Sequence, residues 1–517
     1  MLSPKVLTTA IILSFVVVLY RRAQRNKSGL PLPPGPKKWP LIGSLLSLPT
    51  SFEWETYAHW SEVYNSDILH VDAAGTSIII VNSHQVATEL FEKRSAIYSS
   101  RIWSTMVHEL IGFDWLISFM AYGEQWKERR SLFQHHFHPL DTFSHHPIEL
   151  EYTHKMLRRL ADTPDKFMEH LRYMTGAITI SMAYGIKVQP DNDPYIEIAE
   201  NALIALAVGA QPGAFLVDSF PVLEYVPAWF PGAGFKCKAR MWRIWTKKMV
   251  EAPFLAAQRQ IAEGTATPSF TSMCLNNLDE TRDNTHELQV IRDTAASLFV
   301  GGADTTVAAM NTFILAMVCY PEVQAKAQEE IDRVLGAGHL PNFADEPSLP
   351  YVAAVVKEVL RRFVKWQAPF LISFRKTMST TGYHLPAGSV VVGNAWAILH
   401  DKEEYMEPSV FRPERFLKDG KLDSDVHEPL AAFGFGRRVC PGKHIAKSTL
   451  WITVASILTI FKISKAIDAD GNVIEPSQEY TSALILHPAP FKCTIKPRSK
   501  EAEMLIRSSL DCSEGFD

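Results

Sequence analysis

Cysteine is scarce and scattered in this 517-residue chain: Cys237, Cys274, Cys319, Cys440, Cys493 and Cys512 form no C-x-x-C pair. That spacing excludes a dense disulfide framework and fits a reducing compartment. Nor does one sign of charge dominate, since 52 Lys and Arg against 56 Asp and Glu leave a net charge of −4. No basic stripe interleaved with aromatics occurs, which argues against nucleic acid as a partner. Internal repeats, low-complexity segments and any flavin or dinucleotide fingerprint are also missing. What remains is the composition of one or two large globular domains, 47% hydrophobic and 21% charged.

The most informative stretch is Phe433-Gly434-Phe435-Gly436-Arg437-Arg438-Val439-Cys440-Pro441-Gly442. Pro441 suits a first helical position and residues 443–461 have helical apolar spacing, so the sequence predicts Cys440 at a helix N-terminus. There the helix dipole and free backbone N–H groups would lower the thiol pKa and stabilise a thiolate ligand. Gly436 and Gly442 would let the backbone approach a flat macrocycle, and Arg438 could pair with a propionate. The alternative is a buried free cysteine in a Gly-rich turn, a reading that suits the other five cysteines.

This loop resembles the thiolate signature Phe-x-x-Gly-x-Arg-x-Cys-x-Gly of the cytochrome P-450 superfamily at Phe433, Gly436, Arg438, Cys440 and Gly442. Five specified residues make a chance match somewhere in the chain an event on the order of 10⁻⁴. Further landmarks follow the family order. Trp126 and Arg130, four apart on one helix face, are similar to its propionate-binding Trp-x-x-x-Arg. Residues 287–320 read as one long apolar helix, with Gly301-Gly302-Ala303-Asp304-Thr305-Thr306 at its middle. Two adjacent glycines there cost about 1 kcal/mol each relative to alanine, so a close approach or a local opening is expected. By resemblance, Asp304 and Thr305 are the acid and threonine that organise protons for O–O cleavage; the competing reading is a kink packed by another helix. Glu358 and Arg361 form the Glu-x-x-Arg pair, joined by Arg415 of Pro-Glu-Arg-Phe in a structural network. Arg375 matches a further propionate-binding arginine, although Phe374 stands where many relatives have His. Leu298, Phe299, Phe370, Leu371, Ile372 and Leu484 are the candidate substrate-pocket residues, with residues 480–486 as the last cavity turn. Residues 101–120 weigh equally as lid and as core.

The chain begins with an apolar run over residues 6–20, followed by Arg21, Arg22, Arg25 and Lys27. It reads as a membrane anchor with the remainder cytosolic, because the basic cluster follows the run and no small-x-small cleavage site precedes it. The expected organisation is an anchor at 1–21, a basic and proline-rich hinge at 22–36, a catalytic domain at 37–498 and a polar tail at 499–517. A hairpin is predicted within residues 67–81, with further short strands at 382–383, 388–392, 485–486 and 491–495.

The resemblance implies a mainly α fold with a small β region, preceded by one transmembrane helix, and haem b bound through Cys440. It implies a monooxygenase that uses O2 and electrons from a separate NADPH-cytochrome reductase to hydroxylate or epoxidise a hydrophobic small molecule. A terpenoid, polyketide, aromatic or indole-like skeleton is expected, at the endoplasmic reticulum membrane and in fungal secondary metabolism or xenobiotic oxidation. Two rivals are a haem protein that only senses ligands, and an oxygen-independent isomerase or dehydratase. Asp304 and Thr305 count against both.

Overall fold

From residue 124 onward apolar side chains recur mostly at helical spacing, and the protein is mainly helical accordingly. The computed structural model describes residues 29–138, 145–211, 213–336, 338–363, 372–373, 378–481 and 485–508. Its longer helices are α1 (Glu53–Tyr64), α2 (Glu124–His136), α3 (His146–Asp162), α4 (Phe167–Tyr184), α5 (Pro194–Gly209), α6 (Gly234–Ala262), α7 (Phe270–Asn276), α8 (Thr285–Ala303), α9 (Thr305–Cys319), α10 (Pro321–Leu335), α11 (Pro350–Phe363), α12 (Lys443–Ile460) and α13 (Lys500–Ser508). The main core gathers α8, α9 and α12 against α4, α3 and α11. From Thr306 to Val318 every residue of α9 is buried, which is why its sequence is apolar on all sides.

The β region is small. Strands β1 (Ile68–Ala73) and β2 (Thr76–Val81) form the predicted hairpin, turning through Ala74 and Gly75 at φ 49° and 94°. Positive φ at both turn residues matches the twist of the flanking strands. Strand β2 continues through β7 (Val390–Gly393) and β4 (Ile372–Ser373) to β3 (Ser100–Arg101). Elsewhere β5 (Met378–Thr380) pairs with β6 (Tyr383–Leu385), β8 (Leu417–Lys418) with β9 (Lys421–Leu422), and β10 (Phe461–Ile467) with both β11 (Val473–Ile474) and β12 (Cys493–Pro497).

Several expectations change. The helix expected over residues 287–320 is interrupted at Asp304 (φ −122°, ψ −32°), which separates α8 from α9. Pro441 does not open a helix: α12 starts at Lys443 with Gly442 as its N-cap, so Cys440 lies in the loop before the helix. Residues 485–486 are not a strand: Ile485 is a bend, and the neighbouring chain is tied by an isolated bridge between Tyr480 and Pro488 and by Thr481 N donating to His487 O at 2.9 Å. Residues beyond 499 start with α13, whose Ala502 and Ile506 are buried in the main core, four apart on one face. The proline-rich stretch is docked, since the Pro31 and Pro34 carbonyls accept hydrogen bonds from His384 N (2.7 Å) and His70 N (2.8 Å). Residues 101–120 are chiefly core, with Met106, Ile111 and Phe113 fully buried. The anchor at 1–21, the tail beyond 508, and Phe370, Leu371, Phe374, Arg375 and Leu484 lie outside the described residues.

Candidate active site

The cysteine loop is shaped by its own backbone. Cys440 N donates to the Phe433 carbonyl at 2.7 Å and Val439 N to Gly436 O at 3.2 Å, closing a tight loop between a 3-10 turn and α12. Gly434 and Gly436 have φ of 78° and 55°, where a side chain is strained. At Gly436 a Cβ would also stand 2.0 Å from the Phe91 carbonyl oxygen, so what excludes it is neighbouring protein backbone and not a macrocycle. Gly442 has ordinary φ and open space around it. Phe433 is half-buried against the main core. Cys440 is recessed but keeps part of its surface accessible. Burial pushes its thiol up, while the Gly442 N–H and the charges of Arg130 and Lys443 pull it down without prevailing. The expected low thiol pKa is therefore not met by the protein alone; a positive metal centre is what would supply the missing stabilisation.

Around this loop the protein gathers buried positive charge. Arg438 donates to the carbonyls of Ser99 (2.6 Å), Met120 (2.8 Å) and Ile117 (3.3 Å), and its guanidinium lies 4.4 Å from the ring centre of buried Trp126. Arg130, on α2 with Trp126, donates to the Val439 carbonyl at 2.7 Å. Arg101, on β3, donates to Ser118 O at 3.0 Å. Burial and the neighbouring Arg130 push Arg438 down to about 9, and burial and Arg438 push Arg101 well below its ordinary value. Among the described residues no carboxylate pairs with Arg130 or Arg438. Arg130 and Arg438, close to one another and without a described carboxylate, call for anions, and the two propionates of a haem beside a cysteine ligand would meet that demand. The donor set fits that group.

A chain of contacts joins the loop to the helix break. Arg438 holds Ile117 O, Ile117 N donates to Ser297 Oγ at 3.2 Å, and Ser297 lies one turn before Gly301 on α8. The two glycines there have different reasons. A Cβ at Gly302 would meet Thr179 Cγ2 at 2.2 Å, so Gly302 permits close packing of α8 on α4. Gly301 is exposed and faces open space, with nothing within 4 Å of where a methyl would stand. At the break, Thr305 Oγ1 donates to Gly301 O at 2.8 Å and Thr175 Oγ1 to Ala303 O at 3.2 Å. Asp304 is turned toward His487 and Arg172. Burial pushes its carboxyl up, but the His487 hydrogen bond and the charges of His487 and Arg172 hold it below the usual carboxylate range.

The third cluster is closed. Arg361 donates to Glu358 through Nε (2.8 Å) and Nη2 (2.7 Å), and Arg415 Nε reaches Glu358 Oε2 at 3.1 Å. Remaining donors go to the carbonyls of Leu399, Pro408, Met406 and Val410. Of the described pocket candidates, Phe299 lines a cavity of about 220 Å³, whereas Leu298 and Ile372 are packed in the core and the sheet. Thr481, Ile485 and His487 also line that cavity. Sequence reasoning missed Arg101, Arg172 and His487. Only Arg101, following Tyr98-Ser99-Ser100 beside the first pocket region, had a local signal.

The family model described as Cytochrome P450 matches residues 33–495 of this chain, a span that holds all three clusters. Cytochrome P450 monooxygenase 98 of Postia placenta is 47% identical over 501 residues, covering 96% of each chain. Cytochrome P450 monooxygenase ple1 of Rhodocybe pseudopiperita is 45% identical over 483 residues, 92% of this chain and 91% of its own. Tryptamine 4-monooxygenase of Psilocybe cyanescens is 42% identical over 490 residues, 93% of this chain and 95% of its own.

Proposed function

Because the chain belongs to the cytochrome P450 family, whose haem is held by a cysteine thiolate, we propose that Cys440 would hold the haem of a monooxygenase acting on a hydrophobic small molecule. The observation that carries this reading is the charge of buried Arg130 and half-buried Arg438, unpaired with any described carboxylate, beside a recessed cysteine. Arg130, Arg438 and Arg101 would hold the propionates, with Trp126 stacked on Arg438 to fix its plane. Arg375 would add a further contact. Bound haem supplies reductive activation of O2 and transfer of one oxygen atom: substrate, O2, two electrons and two protons give oxidised substrate and water.

This chain's residues manage protons. Thr305 Oγ1 holds its hydrogen on Gly301 O at an accessible surface, from which rotation would free it to donate a proton. Asp304, at the helix break, is the carboxylate through which protons would reach that site. Glu358, Arg361 and Arg415 brace the fold and take no part in chemistry.

The cavity's apolar walls at Phe299, Ile196, Leu203, Ile204 and Ile485 suit a terpenoid, polyketide, aromatic or indole-like skeleton, with Phe370, Leu371 and Leu484 as further lining candidates. The name of the Psilocybe relative supports including indoles in that class. Fungal secondary metabolism or xenobiotic oxidation is the proposed setting, supported by the fungal origin of the relatives. Electrons would come from a separate NADPH-cytochrome reductase. An endoplasmic reticulum anchor at 1–21 is supported by the apolar run and its basic flank. Exposed Leu216, Phe220, Val222, Tyr225 and Trp229 offer a second apolar surface to the membrane. The α8–α9 stretch Thr285–Cys319 also contains an 18-residue window apolar enough to span a bilayer, but 78% of that window is buried in the protein.

The test is expression with a reductase in microsomes under ¹⁸O2, with mass spectrometry on terpenes, polycyclic aromatics and tryptamines. A product carrying one ¹⁸O atom is expected. Conversion without label from O2 would overturn the reading in favour of isomerisation or dehydration.

A further inference from the structure

The 220 Å³ cavity beside the helix break has a buried apolar floor and a charged, open side. Phe299 and Ala303 of α8 and Ala199 of α5 are buried. Ile204 of α5 is 59% exposed, and the side chains of Arg172 on α4 and Glu200 on α5 are 37% and 40% exposed. An apolar skeleton suits such a floor, and the groups on the open side then decide what its polar end must carry.

Most polar groups of the lining are already engaged. Thr481 Oγ1 donates to His487 O at 3.2 Å and accepts from His487 N at 3.3 Å. His487 Nε2 lies 3.2 Å from Asp304 Oδ2, and its Nδ1 has essentially no accessible surface. Arg172 differs. Of its side-chain N–H groups the described residues take one, where Nη1 donates to Glu200 Oε1 at the long distance of 3.4 Å. Asp304 Oδ1 stands 3.7 Å from Nη2, an ion pair too long for a hydrogen bond. Glu200 as a carboxylate can only accept, and Arg172 is the one described residue that donates to it.

We propose that Arg172 is a specificity-determining residue that, together with Glu200, selects a hydroxylated apolar substrate: Arg172 donates to the hydroxyl oxygen, and the hydroxyl donates its hydrogen to Glu200. The geometry allows this without rearrangement. Nη1 and Oε1 are 3.4 Å apart, and an oxygen about 2.9 Å from each closes a triangle with both atoms where they stand. A neutral hydroxyl answers both partners at once. A carboxylate would be repelled by Glu200 and Asp304, a protonated amine by Arg172, and an ether or ketone would leave Glu200 without a donor. The proposal rests on the reading of this cavity as the place of the apolar substrate.

The experiment is equilibrium dialysis of one skeleton carrying different groups against the full-length holoenzyme: naphthalene, 2-naphthol, 2-methoxynaphthalene, 2-naphthoate and 2-naphthylmethylamine. Wild type should hold 2-naphthol about tenfold more tightly than naphthalene, with 2-methoxynaphthalene between them, because the hydroxyl bonds two charged groups. Arg172→Met should abolish the preference while naphthalene itself binds within about twofold of wild type. Glu200→Leu, at a partly exposed helix position, should reduce the preference about threefold and bring 2-naphthol level with 2-methoxynaphthalene. If Arg172→Met does not fold, Glu200→Leu decides by the same comparison. An unchanged preference in either variant overturns the proposal. Tightest binding of the naphthoate or of the ammonium also overturns it, since one charge would then rule the site. Equal binding of 2-naphthol and naphthalene to wild type overturns the proposal alone and leaves the cavity as the substrate's place; failure of every probe to bind overturns that reading as well.

Discussion

Two buried arginine clusters in this protein are built on opposite terms. Around Glu358 the charges close on themselves: Arg361 and Arg415 share one carboxylate, and their spare donors are taken by carbonyls. Around Cys440 the arginines find carbonyls but no described carboxylate, and they repel one another. A fold neutralises buried charge wherever nothing else will arrive. It leaves charge standing where a ligand brings the counter-ions, so the contrast supports the open cluster as the proposed haem site.

The comparison breaks most visibly at the closed cluster. Glu358→Ala leaves two guanidiniums buried without an anion and should cost about 3–5 kcal/mol, read as loss of folded protein in urea with or without haem. Next comes a buried acid that is only half satisfied. Glu149 on α3 accepts from Ser448 and Thr449 through Oε1, while Oε2 has no partner among the described residues and burial pushes the carboxyl up to about 7. Folded Glu149 therefore keeps its proton where the unfolded chain has lost it, and stability falls as pH rises from about 4.5 to 7. Glu149→Gln should remove that slope, a difference of about 1–3 kcal/mol in denaturation midpoints across the window.

The open cluster answers differently. Arg130→Met should leave apoprotein stability within about 1 kcal/mol, since the residue gives up one carbonyl contact and much repulsion, yet weaken haem retention roughly tenfold. Equal loss of stability and haem would erase the distinction between the clusters. The smallest effect is at the helix break, where the Thr305 hydroxyl sits satisfied on Gly301 O. Thr305→Ala should preserve haem content and substrate affinity while product per NADPH falls roughly two- to tenfold and peroxide rises. Unchanged coupling would make Thr305 a packing residue.

What could be read from the chain divides along the same line. The cysteine loop, the hairpin through Ala74 and Gly75, and the Glu358–Arg361 spacing are local patterns, each fixed within a few residues. The break at Asp304 was half legible: adjacent glycines announced an opening, but only the structure assigns Gly302 to Thr179 and Gly301 to open space. His487, which lies 183 residues from Asp304, and Arg101 beside Arg438 were not legible, because nothing in spacing says which distant side chains a fold will bring together. The α13 helix was overlooked because its charged residues hide the Ala502–Ile506 face.

The central claim is that Cys440 is the thiolate around which the open cluster is arranged. Cys440→Ser, purified and reduced under carbon monoxide, tests it most directly. Loss of the absorption band characteristic of thiolate ligation is the predicted result, because a neutral alcohol is a poor donor to iron. A wild-type band in that variant would contradict the account.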